Sequence, residues 1–175
     1  MKKVVKFGGS SLANAEQFQK VGEIIRSEES RRYVVPSAPG KRFDGDTKVT
    51  DMLYACYGAA EAGEDFSGKL QAIKMRFQEI IQGLSLDLSL DREFEQIAAD
   101  FSAHAGKEYA ASRGEFLNGK VMAAYLGYEF VDAAEVIRFD KNGVLEAEKT
   151  NRLLEKRLAK CEKAVIPGFY GACAD

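Results

Sequence analysis

Val4-Val5-Lys6-Phe7-Gly8-Gly9-Ser10-Ser11 opens the chain, and its reading decides the fold. Val4 to Phe7 reads as a short strand that runs into two glycines and two hydroxyls. Asn14, followed three residues later by Gln17, has the spacing of a helix-opening capping box. Phe18, Val21, Ile24 and Ile25 then give one apolar helical face. Tyr33-Val34-Val35 reads as a second strand, ended by Pro36. Residues 4 to 35 are therefore a β–α–β unit, which implies a right-handed crossover between parallel strands. The turn inside it suits an anion. Glycines let backbone N–H groups converge, a helix N-terminus follows, and Lys6 adds a full positive charge. The spacing is not that of a Walker P-loop, because the lysine precedes the glycines. A tight β–α turn beside a solvated lysine is the plainer reading of the same residues.

The rest of the chain continues the pattern. Pro39 to Asp46 is a polar, turn-rich loop. Thr50 is placed to cap a helix carrying Met52, Leu53, Cys56 and Tyr57, which closes near Gly63. Phe66, Leu70, Ile73, Phe77, Ile80 and Ile81 mark a second helix. Phe94, Ile97 and Phe101 mark a third, and residues from about Lys107 to Tyr125 a fourth. Glu129 to Asp132 resumes strand character, and Val136 to Phe139 reads as another strand. Asp140 to Gly143 is a turn, Thr150 to Lys160 a helix, and Ala164-Val165-Ile166 a last buried strand. The expected class is α/β: an αβα sandwich on a mostly parallel open sheet, with a helical insertion over about 50–125.

Composition narrows the function. The chain has 175 residues, enough for one domain with a core, with 46% apolar and 30% charged residues. A net charge of −2 gives no electrostatic case for nucleic acid or an anionic membrane. No apolar run reaches membrane-spanning length, and the first strand leaves no room for a signal peptide. Cys56, Cys161 and Cys173 are odd in number and lack C-x-x-C spacing, which fits a reduced, cytoplasmic setting. His104 is the one histidine and reads as a helix-surface residue, so no metal site is expected.

Ligands of open α/β sheets gather at the carboxyl ends of strands. Those ends carry Lys6, Gly8, Gly9 and Ser10, then Ser37, Ala38 and Gly40, then Asp132, then Gly168 and Gly171. Small and chargeable residues thus collect at one edge, as phosphoryl transfer requires. Asp132 reads as a cap for the segment after it.

The opening stretch and three further segments give this edge a family likeness. Lys6-Phe7-Gly8-Gly9-Ser10-Ser11-Leu12-Ala13 resembles the opening signature of aspartate kinases, within the amino-acid kinase superfamily. Val34-Val35-Pro36-Ser37-Ala38 with Val49-Thr50-Asp51-Met52-Leu53 resembles the second signature. Ser112-Arg113-Gly114-Glu115 resembles the Ser-x-Gly-Glu helix motif. Val131-Asp132-Ala133 and Val165 to Gly171 resemble later landmarks. The resemblance implies ATP and Mg²⁺ as cofactors and L-aspartate as substrate. It implies that Lys6 stabilises the transferring phosphoryl group and that Gly8, Gly9 and Ser10 line the triphosphate. It gives Ser37, Thr50 and Glu115 to aspartate, and a homo-oligomer to the full-length protein.

Taken residue by residue, Ser37 and Thr50 also read as a turn residue and a helix cap, and Glu115 as a solvated face. Two departures from the family stand out. Residues Lys41 to Lys48 make the loop before Val49-Thr50 longer than the family's usual spacing. The family's Gly-Arg-Gly-Gly-Ser-Asp segment, nucleotide-binding lobe and ACT domains have no counterpart in residues 1–175. The expectation is an amino-terminal part of an amino-acid kinase domain, inactive as a kinase by itself. Two alternatives stay open: a kinase for another carboxylate amino acid, and a non-catalytic ligand-binding or complementing fragment.

Overall fold

The computed structural model describes residues 1–173. Strand β1 (Lys3–Phe7) leads through a 3-10 turn (Gly9–Leu12) into α1 (Ala15–Arg26) and β2 (Arg31–Pro36). Asn14 caps α1, its Oδ1 accepting from the Gln17 N–H at 3.0 Å. The helices α2 (Val49–Glu61), α3 (Ser67–Gly83), α4 (Asp91–Ser102) and α5 (Lys107–Leu126) follow without an intervening strand. Then come β3 (Glu129–Phe130), the short α6 (Ala133–Val136), β4 (Arg138–Phe139), α7 (Ala147–Leu158), β5 (Ala164–Val165) and β6 (Ala172–Cys173).

The main sheet has the order β1-β2-β5-β3, and every pair in it is parallel. Alternation along β2 sorts the two faces. Val34 joins the large core with Phe18, Ile25, Ile73, Phe77, Leu117 and Met122. Its neighbour Tyr33 turns to the other face, with Val131, Val136, Ala164 and Ile166, and there Leu153, Leu154 and Leu158 of α7 pack. Helices therefore cover both faces, as the sandwich expectation required.

Several local expectations change. Thr50 does not cap α2. The helix begins at Val49 with Lys48 at the N-cap, because the Val49 N–H reaches back to the Pro39 carbonyl at 3.1 Å and fixes the start earlier. Val136 closes α6 instead of opening a strand, and Asp132 caps that helix by accepting from the Ala134 N–H. Only Arg138–Phe139 forms a strand, and it pairs with β6 in a separate two-stranded sheet. The last helix starts at Ala147, so Thr150 lies inside it, buried, its hydroxyl accepting from the Arg138 N–H. The strand at Ala164 is buried as expected but is not the last one. It lies between β2 and β3, and β6 follows it. His104 is exposed in the left-handed turn just past α4 (φ 56°).

Candidate active site

Parallel pairing brings the carboxyl ends of β1, β2 and β5 to one edge, and a cavity of about 510 Å³ opens there. Gly9 and Ser10 form one wall. Ser37 to Lys41 form the next, Lys48 and Thr50 enter with the start of α2, and Ala111, Glu115 and Phe169 close it. Helix α5 packs tightly beneath: a Cβ built on Gly114 would stand 2.8 Å from the Ala38 Cβ.

The first two walls are fastened to each other through backbone. The Gly40 N–H donates to the Gly9 carbonyl at 2.8 Å. A Cβ on Gly9 would lie 2.7 Å from the Ala38 oxygen, and one on Gly40 would lie 2.6 Å from the Gly9 carbonyl carbon. Only glycine allows this approach from both sides. Arg76 of α3 locks the junction. It is 3% exposed and donates to the Gly40 carbonyl at 2.6 Å and to the Ala13 carbonyl at 3.2 Å. Its other amino group meets Asp46 at 2.7 Å. Asp46 also takes the Arg42 guanidinium at 2.9 Å, and this bond, before the Arg76 contact, holds its carboxyl well below the usual carboxylate range.

Glu115 sits in the third wall. Burial pushes its carboxyl up, while backbone N–H groups of Phe169 and Gly168 and the charge of Lys6 pull it down. The Phe169 N–H lies 2.9 Å from its Oε2. The turn bearing Phe169 is itself held: the Tyr170 hydroxyl donates to Asp132 at 2.8 Å, and the Arg113 guanidinium stacks on the Tyr170 ring. One turn beyond Glu115, fully buried Asn118 donates to the Ser37 carbonyl at 2.6 Å, and its Oδ1 has no partner. Helix α5 thus grips the β5 turn through Glu115 and the β2 turn through Asn118.

Gly9, Ser10, Ser37, Thr50 and Glu115 therefore come together around one space. Gly8 and Lys6 flank it without lining it. Lys6 is exposed on strand β1, its charge acting on Glu115. Sequence reasoning missed Arg76, Asn118, Lys41 and Lys48. A signal existed for the first two. Arg76 interrupts the apolar stripe of Ile73, Phe77 and Ile80, and Asn118 follows Glu115 at i+3, on the same helical face.

A parallel sheet with helices on both faces, a glycine-rich turn at its carboxyl edge and a carboxylate in the same cavity define an α/β domain with a ligand-sized site at the strand ends. The chain belongs to the amino acid kinase family, whose profile matches residues 1–175. It is 36% identical to aspartokinase 3 of Bacillus subtilis, over 99% of this chain and 41% of that protein. The crystal structure of Clostridium acetobutylicum aspartate kinase superposes with a TM-score of 0.94 at 46% identity, over 99% of this chain and 40% of that one. Escherichia coli aspartokinase III, solved with aspartate and ADP, shares the fold at a TM-score of 0.80 and 23% identity. The chain thus spans about two fifths of the length of these relatives.

Proposed function

We propose that this chain carries the acceptor-binding and phosphate-turn part of an ATP-dependent aspartate kinase. The observation that supports it best is Glu115, a part-buried carboxylate in the same cavity as Ser37 and Thr50 and across from Gly9 and Ser10. An amino-acid acceptor brings an α-ammonium group, and Glu115 is the cavity's anionic partner for it. Ser37 and Thr50 offer hydroxyls to the acceptor's oxygens. Gly9 and Ser10 present the backbone turn to phosphate, and Lys6 neutralises charge at the turn's entry.

In this reading an oxygen of the aspartate β-carboxylate attacks the γ-phosphorus of ATP. The bond from that phosphorus to the β,γ-bridging oxygen breaks, and the products are ADP and 4-phospho-L-aspartate. A carboxylate is already ionised at neutral pH, so no general base is required. Rate enhancement rests on alignment and charge neutralisation. Mg²⁺ travels with the nucleotide. Among the described residues no cluster of three or more His, Cys, Asp or Glu side chains is placed to hold an ion. The same reading makes the reaction the first step of lysine, threonine and methionine synthesis, in the cytoplasm, by a homo-oligomeric complete enzyme. No helix among the described residues is long and apolar enough to cross a membrane.

A graft tests the reading. Residues 1–173 replace the matching segment of the Clostridium acetobutylicum enzyme, and aspartate-dependent ADP release is followed. The expected result is activity that Glu115→Gln or Lys6→Ala lowers at least a hundredfold. A folded graft that phosphorylates glutamate and ignores aspartate would replace this reading with another acceptor.

A further inference from the structure

The long loop before α2 brings two lysines to the cavity. Lys41 and Lys48 line it together with Glu115, and these three are its charged lining residues. The lining therefore carries one more positive than negative charge.

The backbone of the loop is tied down, while the Lys41 and Lys48 side chains are themselves exposed. Its ends meet where the Val49 N–H donates to the Pro39 carbonyl. Its interior is tied by Arg42 on Asp46, and Asp46 is tied to buried Arg76. The loop's ion pairs use Arg42 and Asp46, and Arg42 also reaches Glu79. Lys41 and Lys48 take part in no ion pair or side-chain hydrogen bond among the described residues. The loop's structural work falls to its other charges, and these two are left over.

Lys48 also breaks a local rule. It stands at the N-cap of the 13-residue helix α2 and supplies no capping acceptor. N-caps favour Ser, Thr, Asp or Asn, and the positive end of a helix repels a cation. Among the described residues the N–H groups of Thr50 and Asp51 find no acceptor. A position that costs helix stability and adds charge to a charged cavity fits a ligand that repays it.

We infer that Lys41 and Lys48 form an anion subsite of this cavity, which takes carboxylate or phosphoryl oxygens of the bound ligand. The identity of that ligand as aspartate rests on the proposed function above; the subsite itself does not.

The test uses the full 175-residue chain and titration calorimetry, with L-aspartate and inorganic phosphate as separate probes. Variants are Lys41→Gln, Lys48→Gln, the double variant and Lys141→Gln, a lysine of the distant 140–143 turn. Circular dichroism checks that each variant is folded. The expected result is a dissociation constant raised about tenfold by each cavity substitution and further by the double one, with Lys141→Gln unchanged. If phosphate binding depends on the two lysines and aspartate does not bind, the subsite stands and the aspartate reading falls. If aspartate binds wild type and the cavity variants equally, the subsite falls and the aspartate reading survives. Binding of neither anion to the folded wild-type chain, or an equal loss in Lys141→Gln, overturns the subsite.

Discussion

Gly9 and Gly40 touch backbone to backbone across the cavity edge, with the Gly40 N–H 2.8 Å from the Gly9 carbonyl. The contact makes one rigid corner out of two separate turns, the phosphate-type turn after β1 and the loop after β2. Neither residue tolerates a side chain, because each one's Cβ would enter the other's backbone environment.

Gly40→Ala follows directly. Its new methyl would lie 2.6 Å from the Gly9 carbonyl carbon, a distance that forces the turns apart. Overpacking of this kind costs about 1–3 kcal/mol. Urea unfolding should show that loss, and aspartate affinity should fall with it. Gly58→Ala, with open space at its Cβ, should show neither effect.

Asp46 gives an acid-sensitive anchor. Its carboxyl is depressed first by Arg42, with Arg76 adding to the hold. A depressed carboxylate contributes stability that is present above its unfolded pKa, about 3.9, and is lost as pH falls toward the folded value. Wild-type stability should therefore decline on acidification below about pH 4, and Asp46→Asn should flatten that part of the curve. At neutral pH Asp46→Asn leaves the Arg76 guanidinium buried without its counter-ion, at a cost of about 3 kcal/mol or more. Denaturant unfolding across pH measures both effects.

The difference between what sequence showed and what it hid follows range of interaction. The β–α–β unit, the Asn14 cap and the extent of α5 rest on contacts within a few residues, so periodicity and capping chemistry expose them. The convergence of Gly9, Ser10 and Ser37 was legible because strand ends of a parallel sheet share an edge, whereas Thr50 and Glu115, which lie in helices α2 and α5, were pointed to only by the family resemblance. Long-range bonds were not legible. Lys48 starts α2 because Val49 is caught by Pro39, a tertiary closure that overrides the cap preference for Thr50. β4 and β6 have two residues each, too few to show a period. The role of Arg76 rests on three partners 30 or more residues away, Asp46, Gly40 and Ala13, which its place in the stripe of α3 does not specify.

Asn118 tests whether α5 sets the position of Ser37. Its amide donates to the Ser37 carbonyl at 2.6 Å from a fully buried site. Asn118→Ala removes that bond and opens a small void, so a loss of about 1–3 kcal/mol is expected. Asn118→Asp removes the donor and buries a charge with no cation beside it, and should cost more. At a temperature where Asn118→Ala remains folded, aspartate affinity should still fall. An affinity equal to wild type there would show that Ser37 holds its place without α5.

Glu115 separates function from stability. Burial raises its carboxyl, so the folded state holds its proton to higher pH than the unfolded chain, whose glutamate titrates near 4.3. The folded state then binds more protons than the unfolded one in the window just above that value. Stability falls as pH rises through it, the reverse of the Asp46 case. Glu115→Gln removes the ionisation and keeps an oxygen for the Phe169 N–H that now lies 2.9 Å from Oε2. Its stability should match wild type at low pH and exceed it once the pH is above the folded value. Its aspartate affinity should drop at least tenfold, because a neutral amide cannot balance the ligand's ammonium group. Unfolding curves at several pH values, paired with calorimetry at neutral pH, give both readings. A variant that is less stable at neutral pH would mean that the Phe169 contact needs the full carboxylate charge.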